Sequence, residues 1–435
     1  MSRNICAGRL RAFVILVVMV MMIGAVPQTL ATSRIPLTLT FWGEGKDLPV
    51  YENLVAPFVK AHPDIDLKVV NIPSLGGTQS YVTKVLTMIA GGTPPDVLQI
   101  DAPDFVAMAG RNAFYNLDTF LTKEPEVKAD IYPQLLSAFQ ADGHQYALPK
   151  DFTTVVVYYN EDMFRDAGLK MPNEYAREGQ WTWDTLLKVA KALTKDVDGD
   201  GKVDQFGVAP ETWGGFWNFW VWQAGGREFN DAITESTINS PQAREGLQFL
   251  SDLWNKYHVA PTPAQKTSMQ AYQMFQNGKV GMVMYGRWMV ATYRQVKSFR
   301  WDIAPLPAGK EKATPIFSSG WAIARNAKHP DKAWELLRYL CGAEGQRAIA
   351  ELGVGVPVSK TIAESDMFIQ PGMPPKHASV FMESLEFGRF LPFFEQYGKA
   401  DSITNKELDR LWIGQSSAEE VTNAIKNQVD AILKR

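Results

Sequence analysis

Cysteine is nearly absent from this chain of 435 residues: it has two, Cys6 and Cys341. Histidine is scarce too, with His62, His144, His258, His329 and His377 far apart. These scarcities exclude much familiar chemistry. No H-E-x-x-H zinc pattern occurs, no G-x-S-x-G nucleophile elbow, and no G-x-x-x-x-G-K-[ST] phosphate loop. Neither charge sign is in excess: 44 Lys and Arg against 47 Asp and Glu leave −3 at pH 7. A nucleic-acid binder would carry a basic stripe, so no such partner is expected. Internal repeats and low-complexity linkers are absent as well.

Long apolar runs are absent except for one near the N-terminus, from Ala12 to Val26. Arg3, Arg9 and Arg11 precede it, and "PQTLATS" follows. A positive stretch, an apolar stretch and small exit residues read as a secretory signal over residues 1–31. The run is too short for the ~20 residues that span a bilayer. Cys6 lies ahead of the run, so no lipobox is expected. Cleavage near Ala31 would remove three arginines and no acid, taking −3 to −6. Cys341 alone would remain, which leaves no internal disulfide. The expectation is an exported, periplasmic monomer.

What is present alternates strands and helices. "PLTLTFWGEG", "DLKVVNI" and "DVLQI" read as strands; "PVYENLVAPFVKAH" and "SYVTKVLTMIA" read as helices. The rhythm continues with "TVVVYYN", "KVGMVMYG" and "GWAIAR" between helical stretches. Ser417 and Glu420 form a capping box before Val421, Ile425, Val429 and Ile432 on one helical face. The pattern predicts an α/β chain with a largely parallel sheet, and its length predicts two domains.

Two stretches stand out. In "DVDGDGKVD", Asp196, Asp198, Asp200 and Asp204 surround two glycines, and Lys202 offers a backbone carbonyl. Such spacing suits a calcium loop, although Gly207 stands where the closing Glu is expected. The competing reading is a solvated acidic turn; no cofactor is required, and calcium would be structural. In "ETWGGFWNFWVWQAGG", four tryptophans fall within ten residues, Trp213 to Trp222. If the stretch is helical, Trp213, Trp217 and Trp220 share a face. Trp220 and Trp222 read as core. Trp213 and Trp217, beside the polar "APETWGG", suit a sugar, whose C–H face stacks on a ring. Cys341 reads as core, and no catalytic residue is assigned. Two carboxylates are enough for a glycosidase, so an exported glycan-degrading enzyme stays an alternative.

Several motifs together carry a resemblance. "FWGEG", "IAGGTPPDVLQID", "YALPKDFTTVVVYYNEDMFRDAGL", "GKVGMVMYGRWMV", "WDIAPLPAG", "GWAIARNAKHPDKAWELLRYL" and "GVGVPVSK" occur in that order. The chain resembles the extracellular solute-binding proteins of ABC sugar importers, the group that includes maltose-binding protein. The resemblance implies two α/β lobes joined by three hinge crossings, near Ala147–Val155, Pro315–Ser319 and Gly353–Pro357. The first lobe would comprise 34–150 and 317–354, the second 151–316 and 355–435. It implies capture of a mono- or oligosaccharide in the cleft and delivery to an ABC membrane permease, without catalysis.

Carried over, the family's ligand contacts fall on Trp42, Glu44, Asp101, Asp104, Asp151, Trp213, Trp217, Gly286, Trp288, Gly320 and Trp321. Maltose binders place an aromatic where this chain has Ile100, and a basic residue where it has Asp104. The resemblance therefore points away from maltose itself. A phosphorylated polyol such as glycerol phosphate is the alternative ligand, with Arg287 as its cation.

Overall fold

Alternation along the first strand already decides how the first sheet is buried. Leu37, Leu39 and Phe41 enter one apolar cluster, while Trp42 packs against another. Successive strand side chains point to opposite faces, so this sheet is covered on both sides. A computed structural model describes residues 34–73, 78–353 and 355–434, and the expected signal segment lies outside them.

The strands are β1 (Ile35–Gly43), β2 (Ile65–Pro73), β3 (Val97–Asp101), β4 (Gln140–Ala141) and β5 (His144–Gln145). They continue as β6 (Ala147–Thr154), β7 (Val156–Asn160), β8 (Phe206–Ala209) and β9 (Val280–Tyr285). The last are β10 (Trp301–Ala304), β11 (Thr314–Ile323), β12 (Val356–Pro357) and β13 (Gly388–Arg389). One sheet runs β12–β6–β11–β3–β1–β2, with β13 beside β11; a second runs β10–β7–β9–β8.

The sheets are mixed, which corrects the expectation of a largely parallel sheet. β1 is parallel to β2 and β3, and β8 to β9. β11 runs antiparallel to both β3 and β6, and β7 antiparallel to β9 and β10. β6 and β11 lie wholly in the first sheet, where β11 is the antiparallel strand between β6 and β3.

The stretch "TVVVYYN" divides between the two sheets. β6 ends at Thr154 in the first sheet, and β7 begins at Val156 in the second. Val155 between them is fully buried. Its backbone finds its partners in one side chain: the Thr314 hydroxyl accepts from its N–H at 3.1 Å and donates to its C=O at 2.7 Å. A buried peptide group left unpaired would cost free energy, so this hydroxyl makes the switch of sheets tolerable.

The aromatic stretch builds the second lobe's core. Its α-helix spans only Asn218–Gln223, so Trp213 and Trp217 do not belong to one helical face with Trp220. Trp220 and Trp222 are buried, at 0% and 2% exposure. The Trp222 indole donates to Glu228 at 2.8 Å, which gives the buried ring its polar partner. The helix Pro241–Asn255 lies close enough that a Cβ on Gly246 would collide with the Trp220 backbone. At the C-terminus, Ser417 and Glu420 form the expected capping box, and Val421, Ile425, Val429 and Ile432 are buried.

Candidate functional site

The ends of β1 and β3 bring Trp42 and Asp101 together. The indole donates to the carboxylate at 3.1 Å. Asp104, one turn into the following helix, accepts from Thr78 and from Gln79 at 3.1 Å. Burial pushes the Asp101 carboxyl up to about 7, and the nearby Asp104 charge adds to it. Burial also raises Asp104.

Asp151 lies on β6, two strands away, with β11 between. Ser319 on β11 is in register with Asp101 on one side and Asp151 on the other. Its hydroxyl donates to Asp151 at 2.7 Å. The pairing on β6 then skips Lys150, from Ser319–Asp151 to Gly320–Pro149. This bulge lets two neighbours meet: the Lys150 ammonium lies 2.9 Å from the Asp151 carboxylate. Lys150 also donates to the Tyr51 hydroxyl at 3.2 Å, and that hydroxyl donates to Gln99 at 2.8 Å. Gly355 is required beside this pair, because a Cβ there would stand 2.6 Å from the Asp151 Cβ.

A second group of candidate residues forms a ring platform. Trp213 is 50% exposed and Trp288 36% exposed. Trp213 packs on Phe216 at 4.4 Å, Phe216 stacks on Phe317 at 5.9 Å, and Trp288 meets Phe317 edge-on at 5.7 Å. Gly286 allows this geometry, since a Cβ there would collide with the Trp288 ring. Its carbonyl is fixed by the Tyr158 hydroxyl at 2.7 Å. Beneath the platform, the Tyr285 hydroxyl bonds to Glu211, and Lys266 lies 3.8 Å from the same carboxylate.

Four expected contacts are placed elsewhere. Trp321 is fully buried against Tyr51, with Val97 and Ile323 in the same cluster. Strand alternation puts it there, while Ala322 and Ala324 take the opposite face. Gly320 is covered by Phe139 and Leu148, each 3.0 Å from a Cβ position. Trp217 is 3% exposed and donates to Asn405 at 3.1 Å, inside the second lobe. Glu44 is exposed and paired with Lys46 at 2.7 Å, outside the bonded group.

Phe317, Phe216, Ser319, Lys150, Tyr285 and Glu211 were missed in the sequence. Tyr285 directly precedes the glycine-x-tryptophan motif, so it could have been found. Phe317 is in place because β11 sets it opposite Thr153 of β6, two residues from the Ser319–Asp151 pair.

Arg287 does not join the platform. Its backbone N–H donates to Thr153 at 2.8 Å, and its buried side chain lines a separate cavity. The phosphorylated-polyol alternative thereby loses its expected cation. Cys341 is also buried, and burial pushes its thiol up, away from thiolate chemistry.

In the acidic loop, Asp196, Asp198 and Asp204 offer oxygens within 4.8 Å of one another. Gly199 and Gly201 have φ of +80° and +86°, which the tight turn requires. Asp200 is not part of the group; its carboxylate pairs with the Lys202 ammonium at 3.1 Å. Three converging carboxylates fit a hard cation such as calcium. The three carboxylates also accept backbone N–H groups, from Gly199, Asp200 and Val197 respectively, so the loop closes on itself as well.

Comparison with known proteins agrees with this architecture. A binding protein of Brucella abortus is 22% identical over 397 residues, covering 89% of this chain and 90% of that protein. The arabinooligosaccharide-binding protein of Bacillus subtilis is 25% identical over 317 residues, covering 70% and 69%. An ABC substrate-binding protein from Listeria monocytogenes, solved with cycloalternan, superposes with a TM-score of 0.81 at 25% identity, covering 92% of this chain and 99% of that one. Maltose-bound MalE3 of T. maritima gives a TM-score of 0.76 at 20% identity, covering 92% and 100%. Among the described residues, no helix is long and apolar enough to cross a membrane. The model of the bacterial extracellular solute-binding proteins matches residues 42–347, and the chain belongs to that family.

Proposed function

We propose that this protein captures a neutral mono- or oligosaccharide between its lobes and hands it unchanged to an ABC permease. The single observation that supports this most is the half-exposed platform of Trp213 and Trp288, joined through Phe216 and Phe317. Flat rings take the apolar face of a pyranose, each contact adding about 0.5–1.5 kcal/mol beyond area burial. Asp101, Asp104 and Asp151 supply acceptors for its hydroxyls. An arabinooligosaccharide binder and a cycloalternan complex among the relatives favour an oligosaccharide. We assign the first lobe to 34–150 and 317–354, and the second to 151–316 and 355–435. Ligand held from both sides favours the closed form, because only that form makes all contacts at once. The acidic loop we read as a structural calcium site.

A thermal-shift panel of arabino-, malto- and cyclic oligosaccharides tests the reading. The true class should stabilise by about 2.7 kcal/mol at a hundredfold excess over Kd. It should also make the particle more compact in solution scattering and be recovered intact. If no carbohydrate binds the folded protein, or the sugar is cleaved, the reading fails.

A further inference from the structure

The buried guanidinium of Arg287 lacks a counter-charge. The side chain is 2% exposed, and among the described residues no carboxylate or hydrogen-bond acceptor pairs with its guanidinium. Its guanidinium lies over the Phe368 ring, with the centroid at 5.3 Å, and a Cβ placed on Gly353 would stand 3.9 Å from Nη2. Burial without a partner pushes it down to about 10. Buried charges are ordinarily paired, because desolvating an ion alone is costly.

The cavity that Arg287 lines has a volume of about 380 Å³. Arg294 and Lys297 line it too, from the segment that follows Trp288. Both keep their charge available. Arg294 donates its Nε to the Pro374 carbonyl at 2.8 Å, and Lys297 donates to the Arg294 carbonyl at 2.8 Å. Neither bonds a carboxylate among the described residues. Burial lowers Arg294 as well. Among the described residues Glu351 is the one acid in the wall. The carbonyl end of the helix Ala343–Leu352 adds only about half a negative charge. Three cations against one carboxylate leave a positive excess around a buried fork of donors.

We propose that this cavity is an oxyanion site, distinct from the sugar site, that takes phosphate or a small carboxylate on Arg287, Arg294 and Lys297. The guanidinium fork matches two oxygens of such an anion. The cavity shares no lining residue with the ring platform. The 3-10 turn Arg287–Met289 separates the two: Trp288 faces Phe317, and Arg287 faces the cavity. An anion here would tie the 287–297 segment to the end of the helix Ala343–Leu352.

The test is a titration of sugar-free protein with inorganic phosphate at constant ionic strength, read by calorimetry and thermal shift. Saturable binding in the roughly millimolar range or tighter is expected. Arg294→Gln with Lys297→Gln should weaken it by roughly tenfold or more while leaving sugar affinity unchanged. Glu351→Gln should tighten it. Arg287→Gln should abolish it, with circular dichroism confirming the fold. The partly exposed pair keeps the test valid should the buried variant not fold. Absence of saturable binding by folded wild type overturns the proposal, as does equal binding by the Arg294 and Lys297 double variant.

Discussion

Trp42 holds Asp101: the indole N–H reaches the carboxylate at 3.1 Å, joining the end of β1 to the end of β3. The bond engages one carboxylate oxygen. It also favours the charged form, against the larger effect of burial.

The sign of the resulting pH dependence follows. The Asp101 carboxyl is pushed up to about 7 from 3.8, so the folded protein binds a proton that the unfolded chain has released. Its contribution therefore lowers stability as pH rises from about 4 towards 7. Asp101→Asn should remove that slope and stabilise the protein at pH 8 by on the order of 1–3 kcal/mol, seen as a higher melting temperature. Parallel melting curves for wild type and variant between pH 4 and 8 would exclude a perturbed Asp101.

The platform makes Trp288 the ring to remove. Trp288→Ala should weaken binding of the best sugar more than tenfold, about 1.4 kcal/mol, with the fold intact. Phe317→Ala should act in the same direction, because the Trp288 ring rests edge-on against it. Calorimetry on both variants checks this, and unchanged affinity would move the platform out of the binding site.

Trp321 should behave in the opposite way. It is fully buried, so Trp321→Ala should cost about 3–5 kcal/mol of stability. Trp321→Phe keeps most of the packing and should bind sugar within a few-fold of wild type. A large affinity loss in a Trp321→Phe protein of near-normal melting temperature would contradict its core placement.

Calcium restored after chelation should raise the melting temperature and leave sugar affinity unchanged. Asp198→Asn should abolish the effect, because Asp198 belongs to the converging group. Asp200→Asn should preserve it, because that carboxylate is turned to Lys202. No shift at roughly millimolar calcium returns the loop to a plain acidic turn.

Local pattern carried a good share of this molecule. Period-two alternation in "PLTLTFWGEG" marked β1, helical spacing marked the C-terminal helix, and the capping box marked its start. The scarcity of histidine and cysteine weakened the catalytic reading without removing it. Ordered motifs pointed to the family. These signals are local, so residues a few positions apart reveal them. Which tryptophan meets solvent is not local. Trp213, Trp217 and Trp220 share one stretch, yet one is half exposed and two are buried. Gly286–Trp288 and Gly320–Trp321 look alike in the sequence. One ring stays partly exposed; the other is driven into the core by strand alternation beside Val97 and Ile323. The bulge at Lys150, the placing of Ser319 in register with both Asp101 and Asp151, and the arrival of Phe317 at Trp288 all depend on β11 running between β3 and β6. Only tertiary structure decides such contacts, because they join residues far apart in the chain whose pairing is fixed by strand register and burial.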